Sequence, residues 1–204
     1  MSCDGHEEAQ TQAEGDAVTP FPVKKYAVVY ADPPWRTNAC QVKISLPVPY
    51  NTMTDGEIMS LRVVDIVQED ALLFIWAIES RIPILPALLE AWGFRWGGMA
   101  FIWHKTGQRS LCGEMAPFGP LPRRGCEVCF MGKRGRWIGQ NIDVRQFLNA
   151  PRREHSRKPD EIRGRIDQLV GDVPKIELFA RKRFPGWDSW GDGLPSGEPY
   201  EMYK

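Results

Sequence analysis

A short apolar segment that ends in two consecutive prolines restricts the fold of this chain more than any other feature. Tyr26 to Ala31 is mostly apolar and does not alternate with polar residues, which is typical of a strand covered on both faces. Asp32-Pro33-Pro34-Trp35 follows directly. Because proline has no N–H group and a nearly fixed φ, the strand must end here. The sequence therefore predicts an acidic turn at the end of a buried strand.

Strand-like and helix-like patterns alternate along the rest of the chain. Thr54 and Glu57 have the spacing of a capping box, so a helix should begin there. This alternation predicts an α/β domain whose sheet is mostly parallel, with helices on both faces. In such sheets ligands bind beyond the carboxyl ends of the strands, where Asp32 and Arg181 would lie. The other predicted elements are strands at 71–77, 99–104, 126–131 and 176–180, helices at 81–92 and 158–171, and a long loop at 105–124.

The first 19 residues differ in composition from the rest. They hold five acidic residues, no Lys or Arg and no aromatic residue, which predicts a disordered acidic tail. Residues 20–204 are expected to form a single domain around one core. The chain shows no signal-peptide pattern and no apolar run near the ~20 residues of a membrane span. Five scattered cysteines favour a reducing compartment, so a cytoplasmic protein is expected.

Basic residues are concentrated in one part of a chain that has no net charge. Residues 123–165 contain twelve Lys or Arg against five acidic residues, whereas the whole chain has 26 of each class. A local excess of this kind is expected where a polyanion docks, although a solvated surface produces the same pattern. The candidates for phosphate contacts are Arg123, Arg124, Arg152, Arg153 and Arg157.

The Asp-Pro-Pro-Trp turn has the groups needed to hold an aromatic amine. Asp32 offers a carboxylate, the carbonyl groups of the prolines point in set directions, and Trp35 offers a flat face. Acceptors for both N–H groups of an adenine amine would make its nitrogen more nucleophilic and stabilise positive charge that develops during alkylation. The base would have to leave its stack for this. The alternative is a proline turn with Trp35 in the core.

Cys126 and Cys129 have a spacing that also occurs in zinc sites. They fall within a predicted strand, where residues three apart face opposite sides. No second Cys or His pair lies near them in the sequence. We therefore predict no metal site.

Several motifs in a fixed order resemble those of one enzyme family. The family comprises the N6-adenine methyltransferases typified by the catalytic subunit of the eukaryotic messenger-RNA adenosine methyltransferase, together with compact bacterial and phage relatives. The resemblance extends over residues 26–194. Its anchors are Ala31-Asp32-Pro33-Pro34-Trp35, Tyr50-Asn51-Thr52-Met53, Trp103-His104-Lys105-Thr106, Arg153 to Glu161, Ile176 to Arg181 and Pro185-Gly186-Trp187-Asp188.

The resemblance implies a fold, a cofactor and the roles of individual residues. The fold would be a Rossmann-like class I methyltransferase fold with permuted motif order, and the cofactor would be S-adenosylmethionine, which the glycine-free strand at 176–180 does not itself indicate. Asp32 and Pro33 would orient the target amine, with Pro34 completing the loop and Trp35 beside the base. The other implied roles are cofactor binding by Lys158, through the methionine carboxylate, and by Phe179 and Arg181, and substrate binding by Tyr50, Lys105 and Glu127.

Two departures from the family pattern affect this transfer of roles. Gly191-Asp192-Gly193 stands where the eukaryotic enzyme has Gly-Asn-Gln, so Asp192 can accept hydrogen bonds from ribose hydroxyls but Gly193 has no side chain to contribute. The segment before Glu127 also differs in composition. Substrate contacts in that segment are therefore not carried over.

The expected activity is methylation of adenine N6 in DNA. The same reaction on RNA is the nearest alternative, and a noncatalytic subunit that binds nucleic acid is a third. Inactive subunits of this family have usually lost the acidic residue or the tryptophan of the loop, whereas Asp32 and Trp35 are both present. A homodimer or a related partner subunit is also expected from the resemblance.

Overall fold

A computed structural model describes residues 20–36, 51–107, 125–136, 138–153, 157–191 and 194. The tail predicted for residues 1–19 lies outside this range. The strands are β1 Tyr26–Ala31, β2 Val67–Ala77, β3 Arg95–Thr106, β4 Cys126–Arg134, β5 Phe147–Pro151, β6 Lys175–Leu178 and β7 Asp188–Trp190. The α-helices are α1 Asp55–Ser60, α2 Leu85–Ala91 and α3 Glu161–Val170, and 3₁₀ helices cover Val63–Ile66 and Glu79–Ile84.

All seven strands form one sheet in the order β5-β3-β4-β2-β1-β6-β7. β1 pairs in parallel with β2 and β6, β3 with β5, and β6 with β7. β4 runs antiparallel to both of its neighbours, β2 and β3. Six strands therefore point the same way, which confirms the prediction of a mostly parallel sheet. The reversed direction of β4 was not predicted.

Helices cover both faces of the sheet, as predicted. On one face, α1 and α2 bury Ile58, Leu85, Leu88 and Leu89 against strand residues such as Leu73. On the other, α3 buries Ile162, Ile166 and Val170 against residues such as Phe74. Each of these fully buried aliphatic side chains contributes about 1.5–3 kcal/mol relative to exposure. We call the two sides the α1 face and the α3 face.

The capping box at the start of α1 is confirmed. The Thr54 hydroxyl accepts from the Glu57 N–H at 3.2 Å, and the Glu57 carboxylate accepts from the Thr54 N–H at 2.6 Å. Together these bonds satisfy two backbone donors that the first turn of a helix leaves free. The Thr54 N–H and hydroxyl both donate to the Glu57 carboxylate and hold the pKa of Glu57 below its ordinary value.

Several predicted boundaries were wrong. The helix predicted at 81–92 is a 3₁₀ helix over Glu79–Ile84 followed by α2, because Pro83 cannot donate to an α-helical hydrogen bond. β3 is longer than predicted and takes in Lys105 and Thr106, so the loop predicted at 105–124 begins later. Residues 108–124 lie outside the described range. β5 and β7 were missed because each is short and carries polar residues.

Among the described residues no helix has the length and apolar character needed to cross a membrane.

Candidate active site

The carboxyl edge of the sheet collects the charged residues that the sequence singled out. Asp32 follows the last residue of β1, and Lys105 lies near the end of β3. Because β4 runs in the opposite direction, its amino end brings Glu127 to the same edge. Lys158 reaches this edge from the segment just before α3. Four residues that are far apart in the sequence thus meet where a parallel sheet binds its ligands.

These four side chains form a row of alternating charge, which we call the charge row. The Lys158 ammonium donates to both carboxylate oxygens of Asp32, each at 2.8 Å. The same ammonium lies 3.3 Å from one Glu127 oxygen. The other Glu127 oxygen lies 2.5 Å from the Lys105 ammonium. Lys158 is therefore shared between two carboxylates, one of which belongs to the predicted catalytic turn.

Two tryptophans form the floor of the charge row. The Lys158 ammonium lies 5.5 Å from the centre of the Trp76 ring, and the Lys105 ammonium lies 5.3 Å from the centre of Trp103. Such cation–π contacts strengthen when water is excluded. The two lysine side chains are 10% and 16% exposed, whereas Asp32 and Glu127 are each 29% exposed. The carboxylates are thus the part of the row most open to a ligand.

The pKa values of Lys158 and Glu127 are both shifted in the direction that favours the charged form. Burial alone would lower the pKa of Lys158, but Asp32 and Glu127 outweigh it and leave this pKa above its ordinary value. Burial alone would raise the pKa of Glu127, yet Lys158 and Lys105 hold it below its ordinary value. The opposite charges therefore stabilise one another. They do so in a partly buried site where a single uncompensated charge would be costly.

Backbone hydrogen bonds fix the Asp-Pro-Pro-Trp turn. The Pro33 carbonyl accepts from the Trp35 N–H at 2.8 Å, and the Pro34 carbonyl accepts from the Met53 N–H at 2.8 Å. A carbonyl oxygen has two lone pairs, so Pro33 retains one acceptor site. The Trp35 indole donates to the Trp76 carbonyl at 3.2 Å, and Trp35 is 7% exposed within the core of the α1 face. Most of its ring is therefore committed to packing, and its contact with a base stays a prediction.

A second part of the carboxyl edge lies at the end of β6. Phe179 has a φ of 60°, the only positive value among the described residues other than glycine, and such strain in a bulky residue often marks a functional segment. Its ring lies 5.7 Å from that of Trp190. A Cβ atom on Gly191 would lie 2.7 Å from the backbone N and O of Ala180, so two backbone segments approach closely here. Arg181 follows and is exposed.

A buried ion pair near the site was missed at the sequence level. Arg163 donates to both oxygens of Glu177, from Nε at 2.8 Å and from Nη2 at 2.5 Å. Burial raises the pKa of Glu177, Arg163 opposes the rise and the charge of Asp32 adds to it. The one sequence signal was a glutamate within the apolar run Ile176-Glu177-Leu178, because a buried charge requires a partner.

The predicted phosphate-binding arginines are only partly accounted for. Arg153 is engaged with Asp160 at 2.5 Å and with Glu161 at 3.1 Å, and Arg157 also pairs with Asp160. These pairs lie at the start of α3 and engage both arginines with carboxylates. Four predicted site residues or candidates lie outside the described residues: Tyr50, Arg123, Arg124 and Asp192.

Comparison with known proteins identifies relatives of the whole site region. The sequence profile of the MT-A70 family matches residues 26–193. The type II methyltransferase M.MunI of a Mycoplasma species is 32% identical over 206 residues, which cover 90% of this chain and 84% of that protein.

Longer eukaryotic proteins match a similar part of the chain. The N(6)-adenosine-methyltransferase catalytic subunit METTL3 of Homo sapiens is 34% identical over 174 residues, which cover 83% of this chain and 28% of that protein. The N(6)-adenosine-methyltransferase MT-A70-like protein of Arabidopsis thaliana is 34% identical over 172 residues, or 83% of this chain and 24% of that protein. The chain thus spans about a quarter of these eukaryotic relatives.

The profile match includes all four residues of the charge row and both edge strands of the sheet, β5 and β7. The α/β sheet with helices on both faces agrees with the Rossmann-like methyltransferase fold of this family. The chain therefore belongs to the MT-A70 family of adenine-N6 methyltransferases, which confirms the resemblance drawn from its motifs.

Proposed function

We propose that this protein transfers a methyl group from S-adenosylmethionine to the N6 amine of adenine in DNA. One observation carries the proposal. The Asp32 carboxylate stands at the carboxyl end of β1 beside two prolyl carbonyls, and it is held by a lysine side chain that a ligand can replace. With 29% of the side chain exposed, Asp32 is open to a substrate, and within the described part of the chain its carboxylate is bound by Lys158 and not by backbone groups.

Asp32 and Pro33 would act on the amine as hydrogen-bond acceptors. One N–H of adenine would donate to the Asp32 carboxylate and the other to the free lone pair of the Pro33 carbonyl. These bonds oppose delocalisation of the nitrogen lone pair and stabilise the positive charge that develops on nitrogen. S-adenosylmethionine, when bound, supplies an electrophilic methyl group. The fixed backbone of the turn would keep the amine aligned with that group, which contributes through proximity and orientation.

The charges at the carboxyl edge fit the amino-acid end of S-adenosylmethionine. That end carries a carboxylate and an ammonium, and the edge presents the cation Lys158 beside the anion Asp32. Methyltransferases of this family use this cofactor. The strained turn at Phe179, with Arg181 after it, would hold the adenosine part, where the absence of a Cβ at Gly191 lets two backbone segments close together. Asp192 is the proposed acceptor for the ribose hydroxyls.

Lys158 would exchange one of its partners when the cofactor binds. It donates once to each Asp32 oxygen, and each oxygen keeps a further lone pair that could accept from the adenine amine. A cofactor carboxylate that takes over Lys158 would leave Asp32 with more acceptor capacity for the amine. Glu127 would keep the ammonium in place during this exchange, because it binds Lys158 from the other side and is itself held by Lys105.

Contacts to the nucleic acid are proposed for residues around this edge. Arg123, Arg124 and Arg153 would bind phosphates, and Tyr50, Lys105 and Glu127 would lie near the target base. Arg153 is paired with Asp160, so a phosphate would have to compete with that carboxylate. Such contacts set position and affinity but do not read the sequence of the bases.

DNA is proposed as the substrate because the chain matches the type II methyltransferase M.MunI over 84% of its length. RNA is the second candidate, since the chain is also 34% identical to an N(6)-adenosine-methyltransferase over 174 residues. A single domain over residues 20–204 and assembly with a second copy or a related subunit stay predictions. Sedimentation of the purified chain, alone and with oligonucleotide, tests the assembly.

The test of the proposed function is transfer of a radioactive methyl group from labelled S-adenosylmethionine to matched DNA and RNA oligonucleotides. Nucleoside analysis should find the label in N6-methyladenine, and oligonucleotides without adenine should stay unlabelled. Label in RNA alone would replace DNA with the second candidate. Binding of nucleic acid without transfer to either oligonucleotide would contradict the enzymatic proposal and favour a noncatalytic subunit.

A further inference from the structure

Arg81 connects the exit of the Asp-Pro-Pro-Trp turn to the start of α1. It lies in the 3₁₀ helix Glu79–Ile84, directly after β2. Its Nε donates to the Asp55 carboxylate at 2.6 Å, and its Nη2 donates to the backbone carbonyl of Arg36 at 2.7 Å. The side chain is 20% exposed. One guanidinium therefore joins the segment that ends the turn at Arg36 to the first residue of α1, Asp55.

The contact with Arg36 adds a side-chain hydrogen bond to the backbone hydrogen bonds of the turn. The carbonyls of Pro33 and Pro34 accept from Trp35 and Met53, and the Arg36 N–H donates to the Met53 carbonyl, each at 2.8 Å. The Arg36 carbonyl, two residues after that of Pro34, accepts from Arg81. The turn is thus held by backbone hydrogen bonds up to Arg36, and the Arg36 carbonyl is held by the charged side chain of Arg81.

We propose that Arg81 is a positioning residue for methyl transfer, an inference that rests on the proposed function. Arg81 acts through Arg36 and Asp55 on the direction of the Asp32 carboxylate and the Pro33 carbonyl. Reacting groups must be held closely, because a misplacement of about 1 Å can cost about 100-fold in rate. A guanidinium suits this task, since its planar fork fixes the angle between its two acceptors, whereas a lysine ammonium is a point charge on a flexible stem.

Arg81 approaches the turn from the side opposite to Lys158. Asp55 opens α1, whose buried residue Ile58 belongs to the core of the α1 face. Lys158 precedes α3, and its ammonium lies over Trp76 in the core of the α3 face. Loss of the Arg81 fork should therefore disturb the turn while leaving the proposed cofactor contact of Lys158 in place. A fall in kcat with unchanged cofactor affinity would therefore indicate a local effect on the turn, whereas a general loss of structure would lower both.

The test compares the Arg81→Lys variant with the wild-type protein and with a matched Arg62→Lys control. Arg62 also donates to an aspartate through two nitrogens, to Asp65 at 3.0 Å each, but it is 74% exposed and lies away from the turn. Arg81→Lys should lower kcat on an adenine-containing oligonucleotide by about tenfold. Its affinity for S-adenosylhomocysteine, measured by calorimetric titration, should change by less than about twofold, and Arg62→Lys should keep the wild-type kcat.

A second variant keeps the inference testable if Arg81→Lys folds poorly. Asp55→Asn retains an acceptor for Arg81 but loses the charge, so it should lower kcat by about threefold, since a charge-assisted bond is roughly twice as strong as a neutral one. The effects of Arg81→Lys and Asp55→Asn should combine non-additively, because the two side chains share one contact.

The outcomes separate this inference from the function on which it rests. An active wild-type protein with unchanged kcat in both variants would overturn the role of Arg81 alone. A loss of kcat accompanied by an equal loss of S-adenosylhomocysteine affinity would also overturn it, since the effect would then not be confined to the turn. A wild-type protein that transfers no methyl group would overturn the proposed function and, with it, this inference.

Discussion

The Asp-Pro-Pro-Trp turn is held from its two sides by contacts of different kinds. On the α1 face, Arg81 and the backbone of Met53 bind main-chain groups that no ligand needs. On the α3 face, Lys158 binds the Asp32 carboxylate, which is the group proposed to meet the substrate. The first set of contacts fixes the geometry of the turn. The second set binds the carboxylate that is proposed to meet the substrate, and a charged ligand can exchange with it.

This difference explains how one turn is both rigid and available. Hydrogen bonds to backbone carbonyls are retained throughout a reaction, so they pre-organise the acceptors at no cost in reorganisation. Ion pairs at partly exposed side chains have a small net value, because the attraction offsets desolvation and loss of side-chain freedom. A ligand with matching charges can therefore replace Lys158 at Asp32, or Asp32 at Lys158, with little change in free energy.

The largest expected effect is that of Asp32→Ala, which removes the reactive group and spares the α1 contacts. Methyl transfer should fall by about 100- to 1000-fold, in line with the loss of a preorganised charge-stabilising group. The fold should persist, because Glu127 still pairs with Lys158. Single-turnover transfer to an adenine oligonucleotide and the circular dichroism spectrum measure the two effects.

Asp65→Ala is the matched control for Asp32→Ala. Asp65 is also paired with a basic residue, Arg62, but it is 54% exposed and away from the carboxyl edge. The Asp65→Ala variant should transfer methyl groups at the wild-type rate. An Asp32→Ala protein with normal turnover would remove the proposed role of the turn, whatever the control shows.

A smaller effect is expected from Lys158→Ala, which breaks only the exchangeable side. Loss of a charge-assisted hydrogen bond costs about 1.5–3 kcal/mol, so affinity for S-adenosylhomocysteine should fall about 10- to 100-fold. Affinity for the oligonucleotide should change much less, because Lys158 lies 10% exposed beneath the carboxylates. Calorimetric titration of both ligands tests this. Equal losses for the two ligands would contradict the division of roles between Lys158 and the basic surface.

The sequence predicted those parts of the site that depend on local patterns. An apolar run ended by prolines placed Asp32 at a strand end, and a proline followed by acids placed Lys158 at the start of a helix, although α3 begins three residues later, at Glu161. Both features follow from backbone chemistry within a few residues. The alternation of elements then predicted that strand ends would gather at one edge.

The remaining features depend on pairings between distant parts of the chain. The reversed direction of β4 decides that Glu127 meets Lys105 and Lys158, and no local pattern encodes strand direction. The same holds for the Arg81–Asp55 and Arg163–Glu177 pairs, whose members come from separate elements. In each case the sequence shows a charged residue near apolar neighbours, but its partner is set by tertiary structure.

The smallest expected effect is that of Glu127→Gln, which should change how the thermal stability of the protein depends on pH. The pKa of Glu127 lies below its ordinary value in the folded protein because the lysines outweigh burial, so its stabilising contribution is present above the unfolded pKa of about 4.3 and is lost as pH falls through the folded value. Between pH 6 and pH 3 the wild-type protein should therefore lose about 2 °C more in Tm than Glu127→Gln, as expected for a contribution near 1 kcal/mol in a chain of this size. Thermal melts at matched ionic strength measure the difference. The Arg81→Lys variant should show the wild-type dependence of Tm on pH, because the contacts of Arg81 with Arg36 and Asp55 do not involve Glu127. If Tm falls equally with pH in Glu127→Gln and in the wild type, the Glu127 carboxylate contributes nothing to stability in acid.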